Sequence, residues 1–455
     1  MRPKIRIKDT IDRLASHSGL VHVGTLLEAT DLKQRLDQFD GVRFEQRQFS
    51  HSDVLFSMIG LISIGKPDYE AIELFRPKAD FFNLALGLSG CPSAVTLRQR
   101  IDLLGQSVEP ILVEESAKLV KAKAPALTPI QTSCGPFLPL DIDVSPFDNS
   151  KTQKEGVSRT YKGCDGYAPI FGYLGAEGYL VNLELRDGSQ HCQNGTPRFI
   201  EESIRYTRQI TSAPVLLRLD SGNDSRDNFP DIERDDVNFI IKRNLRRESP
   251  LVWFDLAKHC GEKIPSRQGK DVWVGQRLTG INGQPLPYPI VFKVTSRSIT
   301  KKGQKLAFPE IDVETYWCSL AQMPALEVID LYHDHGTSEQ YHSELKSDMD
   351  IERLPSGHFA SNSLVLHLAM LSYNILRIIG QHSLEEARRE GIKLPGSRSS
   401  KYVQRRRIRT VIQDLMYMAG RLVYRGRQWY IGFGRLNPFA RLWGLIDYRL
   451  RGANA

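Results

Sequence analysis

From the start of the chain to about residue 130, apolar positions recur at a helical period. They run through Leu26-Leu27, Leu32 and Leu36, then through Val54-Leu55, Met58-Ile59 and Ile62. Near residue 136 the period changes. PLDIDVS alternates apolar and acidic residues as a strand does, and YAPIFGYLG and YLVNLELRDG, joined by Ala-Glu-Gly, form a predicted hairpin. TPRFIEESIRYTRQI is an amphipathic helix with Phe199, Ile200, Ile204 and Ile210 on one face. It is followed by two compact strands, APVLLRLDSG and VNFIIKR. Residues 245 to about 320 are mainly strand-like, through PLVWFDLA, KDVWVGQRL, YPIVFKVTSRSI and DVETYWCSL. Beyond them PALEVIDLYHDH is helical, Gly336 breaks the run, and Thr337 to Gln340 offers a capping box for a second helix. The apolar stretch 364–379 contains His367, Asn374 and Arg377, which predict a packed helix rather than a membrane span.

Read in order, residues 131–244 give three strands, a helix, a strand, a connection and a strand. That is the order of a ribonuclease-H-like core, although other mixed folds share parts of it. The expected fold class is α/β, with a ribonuclease-H-like core interrupted by a β-rich insertion and preceded by a mainly helical N-terminal region. The expected division is a helical DNA-binding region over 1–130 and the first part of the core over 131–244. The insertion covers 245–322, the second part of the core 323–380, and a basic C-terminal region 381–455.

Charge gives the partner. The 455 residues carry a net charge of +8. Arg388 to Arg451 holds 16 Lys/Arg against 3 Asp/Glu, an excess of +13 that leaves −5 for the rest of the chain. Arginines interleaved with Tyr402, Tyr424, Trp429 and Tyr430 suit a polyanion, because each phosphate neutralised releases counterions. Arg405, Arg406 and Arg407 are accordingly expected to add sequence-independent affinity for DNA. In CPSAVTLRQRIDLLG, Ser93 can cap a helix that carries Thr96, Arg98 and Arg100 in its first turns. A helix-turn-helix presents side chains to a groove in this way, and so does any capped surface helix. The six cysteines form no C-x-x-C pair, which argues against a zinc ribbon or a disulfide framework and for a reducing compartment. MRPKIRIKDT has no apolar run behind its charges, so no secretory signal is expected.

The candidate chemistry is acidic. Asp141 and Asp143 share a strand face, and Asp220 ends the fourth strand, a neighbour of the first in a ribonuclease-H-like sheet. One of the pair beside Asp220, with a third acid from a later helix, would make an oxygen-only site for Mg²⁺ or Mn²⁺. Aspartates at strand ends also merely turn chains. Tyr332, His335, Glu339, His342 and Lys346 follow at spacings of 3, 4, 3 and 4, one polar stripe if the segment is helical. No cysteine or second histidine pair accompanies the two histidines, which argues against zinc.

These residues carry a resemblance. Tyr332-x2-His335-x3-Glu339-x6-Lys346 is similar to the Y-x2-R-x3-E-x6-K signature of DDE transposases of bacterial insertion sequences, and LDIDVS and LLRLDSG resemble the segments holding that family's aspartates. The resemblance implies a transposase that cleaves the ends of its own element and joins the 3′-OH ends to target DNA by two-metal phosphoryl transfer. It implies Asp143, Asp220 and Glu339 as catalytic and metal-binding acids for two Mg²⁺ or Mn²⁺ ions. Asp143 is chosen over Asp141 because Asp143-Val144-Ser145 fits the family's Asp-x-Ser/Thr pattern. Tyr332, His335 and Lys346 would contact phosphates, and Trp317 would stack on a flipped base unless it is a core residue. His335 replaces the signature arginine, a departure that weakens a permanent bidentate contact. Double-stranded DNA (terminal inverted repeats and target), a homodimer in the end complex, no membrane, and a bacterial cytoplasmic, nucleoid-associated location are also implied. The alternative is a catalytically inactive or domesticated transposase-like DNA-binding regulator.

Overall fold

The computed structural model describes residues 11–42, 48–78, 80–281, 283–300, 303–394, 403–434 and 436–452; Tyr402 lies outside them. The chain divides into two compact units, one of residues 1–125 with 344–455 and one of residues 126–343. This partition differs from the expected one. Residues 344–380 join the N-terminal helices, because the long helix Phe359–Arg389 packs on helices His51–Ser63, Ala94–Leu104 and Glu109–Lys123.

That helix is long and apolar enough to cross a membrane, yet it lies inside its unit. Several of its polar side chains find partners there. Asn374 Nδ2 donates to Ser116 Oγ at 2.9 Å, His367 Nδ1 stands 3.4 Å from Glu109, and Arg377 meets Glu344 and the Tyr373 hydroxyl. Helix His51–Ser63, buried along its whole length, starts at a complete capping box: Asp53 N–H donates to Ser50 Oγ, and Ser50 N–H donates to the Asp53 carboxylate. Helix Ala94–Leu104 begins at Ser93, whose Oγ accepts from Thr96 N–H. Arg100 on this helix is buried against Phe49 and His51, and Arg98 pairs with Glu70, so neither arginine stands unpaired toward a groove.

The second unit is a mixed α/β arrangement on a ten-stranded sheet. Its main strands are β1 (Gly135–Val144), β2 (Ile170–Leu174), β3 (Tyr179–Glu184), β4 (Val215–Leu219), β5 (Asn238–Arg243), β6 (Glu262–Ile264), β7 (Lys270–Thr279), β8 (Pro285–Ile299) and β9 (Lys305–Cys318). The spatial order is β3-β2-β1-β4-β5-β9-β8-β7-β6, with short strand Ile130–Thr132 beside β1. The β1–β4 and β4–β5 pairs are parallel; β1–β2, β2–β3 and β5–β9 are antiparallel. The β-rich segment therefore continues the main sheet through the β5–β9 pair. One expected strand, PLVWFDLA, is instead the helix Pro250–Cys260. Ser249 caps it, Pro250 opens it, and Trp253 and Ala257, one turn apart, bury on the sheet.

Alternation along β1 and β4 separates two faces. Leu138, Leu140, Ile142, Leu217 and Leu219 pack with Phe199, Ile200 and Ile204 of helix Thr196–Ile210. Phe137 and Leu216 pack on the other face with Val328 and Ile329 of helix Ala325–His333. Asp141, Asp143, Arg218 and Asp220 alternate onto that second face.

Candidate active site at the strand ends

The parallel register of β1 and β4 pairs Asp141 with Arg218 and Ile142 with Leu219, so Asp143 and Asp220 follow as neighbours where the two strands end. The inner pair is a buried ion pair. Arg218 Nε and Nη2 donate to the two Asp141 oxygens at 2.6 and 2.7 Å, each side chain only 3% exposed. Arg218 Nη1 also donates to the Leu331 carbonyl at 2.6 Å, tying the Ala325–His333 helix to the sheet. Burial opposes both charges, but each partner's charge outweighs it, holding the Asp141 carboxyl below and the Arg218 guanidinium above their ordinary ranges.

The outer pair is different. Asp143 Oδ1 accepts from Val144 N–H at 2.8 Å, and its Oδ2 lies 3.2 Å from His342 Nε2. Despite burial, the contact with His342 keeps the Asp143 carboxyl acidic. Asp220 Oδ1 accepts from Gly222 N–H and Asn223 Nδ2, at 3.1 and 2.8 Å. Its carboxyl is nonetheless pushed above the ordinary range, first by burial and then by the negative charge of Asp143. Two carboxylates are thus held close enough to repel.

The polar stripe is not continuous. Helix Ala325–His333 ends in a 3₁₀ turn at Asp334–Thr337, helix Ser338–Ser343 follows, and a π-helical turn occupies Glu344–Asp348. Each change of pitch rotates the next residues about the axis, so a spacing of 3 and 4 no longer keeps one face. His335 and His342 are buried, His335 Nδ1 standing 3.1 Å from Asp141 Oδ1 and His342 against Asp143 and the Tyr173 hydroxyl. Burial disfavours the charge on His335, but Asp141 and Asp143 outweigh it and raise its pKa. Glu339 is exposed, with no hydrogen-bond or ion-pair partner among the described residues. The structure brings Asp143 and Asp220 together and does not bring Glu339 to them.

The remaining expected contacts are dispersed. Tyr332 packs on Tyr316, 4.8 Å between ring centroids; burial and the nearby Asp220 and Asp143 charges push its phenol up. Lys346 belongs to the other unit, 4.0 Å from Glu352. Trp317 is 4% exposed, lies in the core on the face opposite the aspartates, and donates from Nε1 to Asp224 Oδ1 at 2.9 Å; a base cannot stack on it there. The arginine run is also engaged. Arg405 pairs with Glu344, Arg406 is buried against Asp414 and Ser383, and Arg407 grips Asp348 with Nε and Nη2 at 2.7 and 3.0 Å.

The family described as transposase DDE domain group 1 matches residues 1–452. The chain belongs to that family. No curated protein matches. A solved structure, the cryo-EM piggyBac transposase synaptic complex with hairpin DNA, is similar over 96% of this chain and 82% of its own, at 11% identity and a TM-score of 0.42.

For a DDE transposase the donor chemistry at β1 and β4 fits a hard divalent cation: two adjacent carboxylates whose mutual repulsion a cation would relieve. Among the described residues no three His, Cys, Asp or Glu side chains are grouped to hold a metal, so a third acid is not in place beside the pair. Three further residues border this carboxylate pair without having been anticipated. Arg218 had a signal, a lone cation inside LLRLD. Tyr161, whose hydroxyl donates to the Val144 carbonyl at 3.1 Å, and Cys192, whose thiol donates to the Gly222 carbonyl at 2.7 Å, had none.

Proposed function

We propose that this transposase cuts DNA at the ends of the insertion sequence that encodes it and joins the 3′-OH ends to target DNA, with Asp143, Asp220 and Glu339 as the metal-binding acids of a ribonuclease-H-like core. The observation that carries the reading is the repelling Asp143–Asp220 pair at the ends of adjacent parallel strands. The order β3-β2-β1-β4-β5, antiparallel and then parallel, supports the core assignment. Mg²⁺ or Mn²⁺ bound there would supply Lewis-acid activation of the attacking oxygen and offset charge on the leaving oxygen.

The chain's own residues prepare that chemistry. Asp143 and Asp220 stand at the ends of neighbouring strands, and His342 fixes the orientation of the Asp143 carboxylate. Arg218 locks β1, β4 and the Ala325–His333 helix together, which limits drift of the pair. Tyr332, near both carboxylates, has a phenol that stays protonated and can donate to a phosphate oxygen. Glu339 enters by its place in the motif. Double-stranded DNA as substrate, a homodimer on paired ends and a cytoplasmic, nucleoid-associated setting belong to the same reading.

The exposed Glu339 favours a second reading, a DNA-binding regulator without catalysis. Strand transfer from a pre-cut element end in Mg²⁺ separates the two. The enzyme reading expects joined products; binding of the ends with neither cleavage nor joining in Mg²⁺ or Mn²⁺ would leave the regulator.

A further inference from the structure

The C-terminal region contains a second, different set of arginines. Strands β10 (Gly420–Arg425) and β11 (Gln428–Phe433) form an antiparallel hairpin, with Leu14–Ala15 pairing to the base of β10. From Leu415 to Ile446 the sequence has five arginines and no Asp or Glu. Leu422 is buried at the hairpin base, whereas the outer part is exposed on both faces: Tyr424 is 58%, Trp429 39% and Tyr430 42% exposed. Three large aromatic rings thus stay substantially exposed at the tip. Arg425 and Arg427 are exposed, and neither has a carboxylate at ion-pair distance among the described residues. Arg421, nearer the base, pairs with Asp12.

The turn adds an independent argument. Gly426 and Arg427 both have positive φ, +56° and +62°, the backbone of a two-residue hairpin turn that favours Asn or Gly. An arginine there sits against the steric preference of its backbone. Strand alternation then sorts the tip. Arg425 and Tyr430 share one face, the Arg425 guanidinium 4.7 Å from the Tyr430 ring centroid, and Tyr424 and Trp429 share the other at 4.9 Å. Stacking on Tyr430 orients the guanidinium while leaving its N–H edge available.

We propose that the tip of this hairpin, carrying Tyr424, Arg425, Arg427, Trp429 and Tyr430, is an arm that docks on double-stranded DNA. The arm rests on the reading of the chain as a DNA transposase. Unpaired cations at a narrow projecting tip meet phosphates on approach, and a two-stranded ribbon fits the major groove, about 12 Å wide. The aromatic rings flank the cations and can pack on sugar and base edges.

The test measures binding of the full chain to a 30-base-pair duplex without element ends, to an element-end duplex, and to a single strand of equal length, across a salt series. Arg427→Gly removes one charge where the backbone already favours glycine, so misfolding is not expected; Arg425→Ala with Arg427→Gly removes both. The arm predicts that the double variant weakens both duplexes about tenfold or more, and lowers the slope of log K against log salt by about 1.8, near 0.9 for each phosphate no longer neutralised. Arg427→Gly alone should remove about half of that slope change. Unchanged duplex affinity and slope in the double variant, with wild type binding normally, would overturn the arm and leave the transposase reading standing. Loss confined to the single strand would also overturn it. Failure of wild type to bind any duplex would sink both.

Discussion

At the ends of β1 and β4 two carboxylates lie side by side, and the charge of one raises the pKa of the other. In the C-terminal region three consecutive arginines, the densest positive charge in the chain, each meet a carboxylate and are held inside or against their own unit. The sequence presents both as concentrations of one sign of charge. The fold leaves the first strained and neutralises the second. Free charge is therefore located by what the fold brings up from elsewhere: Glu344 and Asp348 lie about sixty positions before Arg405 and Arg407. Within the same basic tail, Arg425 and Arg427 have no such partner among the described residues, which leaves them open to a ligand.

The largest expected effect tests the neutralised side. Arg377 is fully buried and shares Glu344 with Arg405. Glu344→Ala leaves a buried guanidinium without its counter-charge and should cost about 3–5 kcal/mol in urea unfolding. A loss below about 1 kcal/mol would mean that the tail arginines are not structurally engaged. Next, Arg406→Ala should cost about 1–3 kcal/mol, leaving the partly buried Asp414 without its cation. The salt dependence of DNA binding should not change. A flattened salt slope with stability intact would return Arg406 to a DNA-facing role.

The smallest effect has the opposite sign and tests the strained side. Asp220→Asn keeps the Oδ1 acceptor used by Gly222 and Asn223 but removes a buried charge repelled by Asp143. In metal-free buffer its melting temperature should equal or exceed that of wild type. Asp141→Asn, two residues before Asp143 and on the same face, should instead lower it, because Arg218 loses its charged partner. If both substitutions destabilise alike, the two aspartates have no separate roles.

Much of the sheet was legible because β4 and β5 are short and rich in branched apolar residues, and because β1 alternates apolar with acidic residues at its end. The helix at Pro250 was misread from its apolar run Leu251 to Phe254, although Ser249 and Pro250 carried the start signal of a helix. The two aspartates were legible from strand-end position, and their separation from Asp141 was legible only in the local Asp-x-Ser pattern. The fate of the stripe was not. Its spacing presumes one uniform helix, whereas the 3₁₀ turn at 334–337 changes the angle between His335 and Glu339, and the π turn at 344–348 changes that between His342 and Lys346. Ion pairs such as Arg407 with Asp348 join residues far apart in the chain, and no local pattern encodes them.

The strand-end aspartates are proposed to hold a divalent cation. Mn²⁺ titration followed by electron paramagnetic resonance reads this directly, because the signal of free Mn²⁺ is lost on binding. Wild type should remove Mn²⁺ from solution in a saturable way, and Asp143→Asn and Asp220→Asn, both folded, should each abolish that uptake. Equal uptake by wild type and Asp220→Asn would mean that the cation is held without the pair on which the site is built.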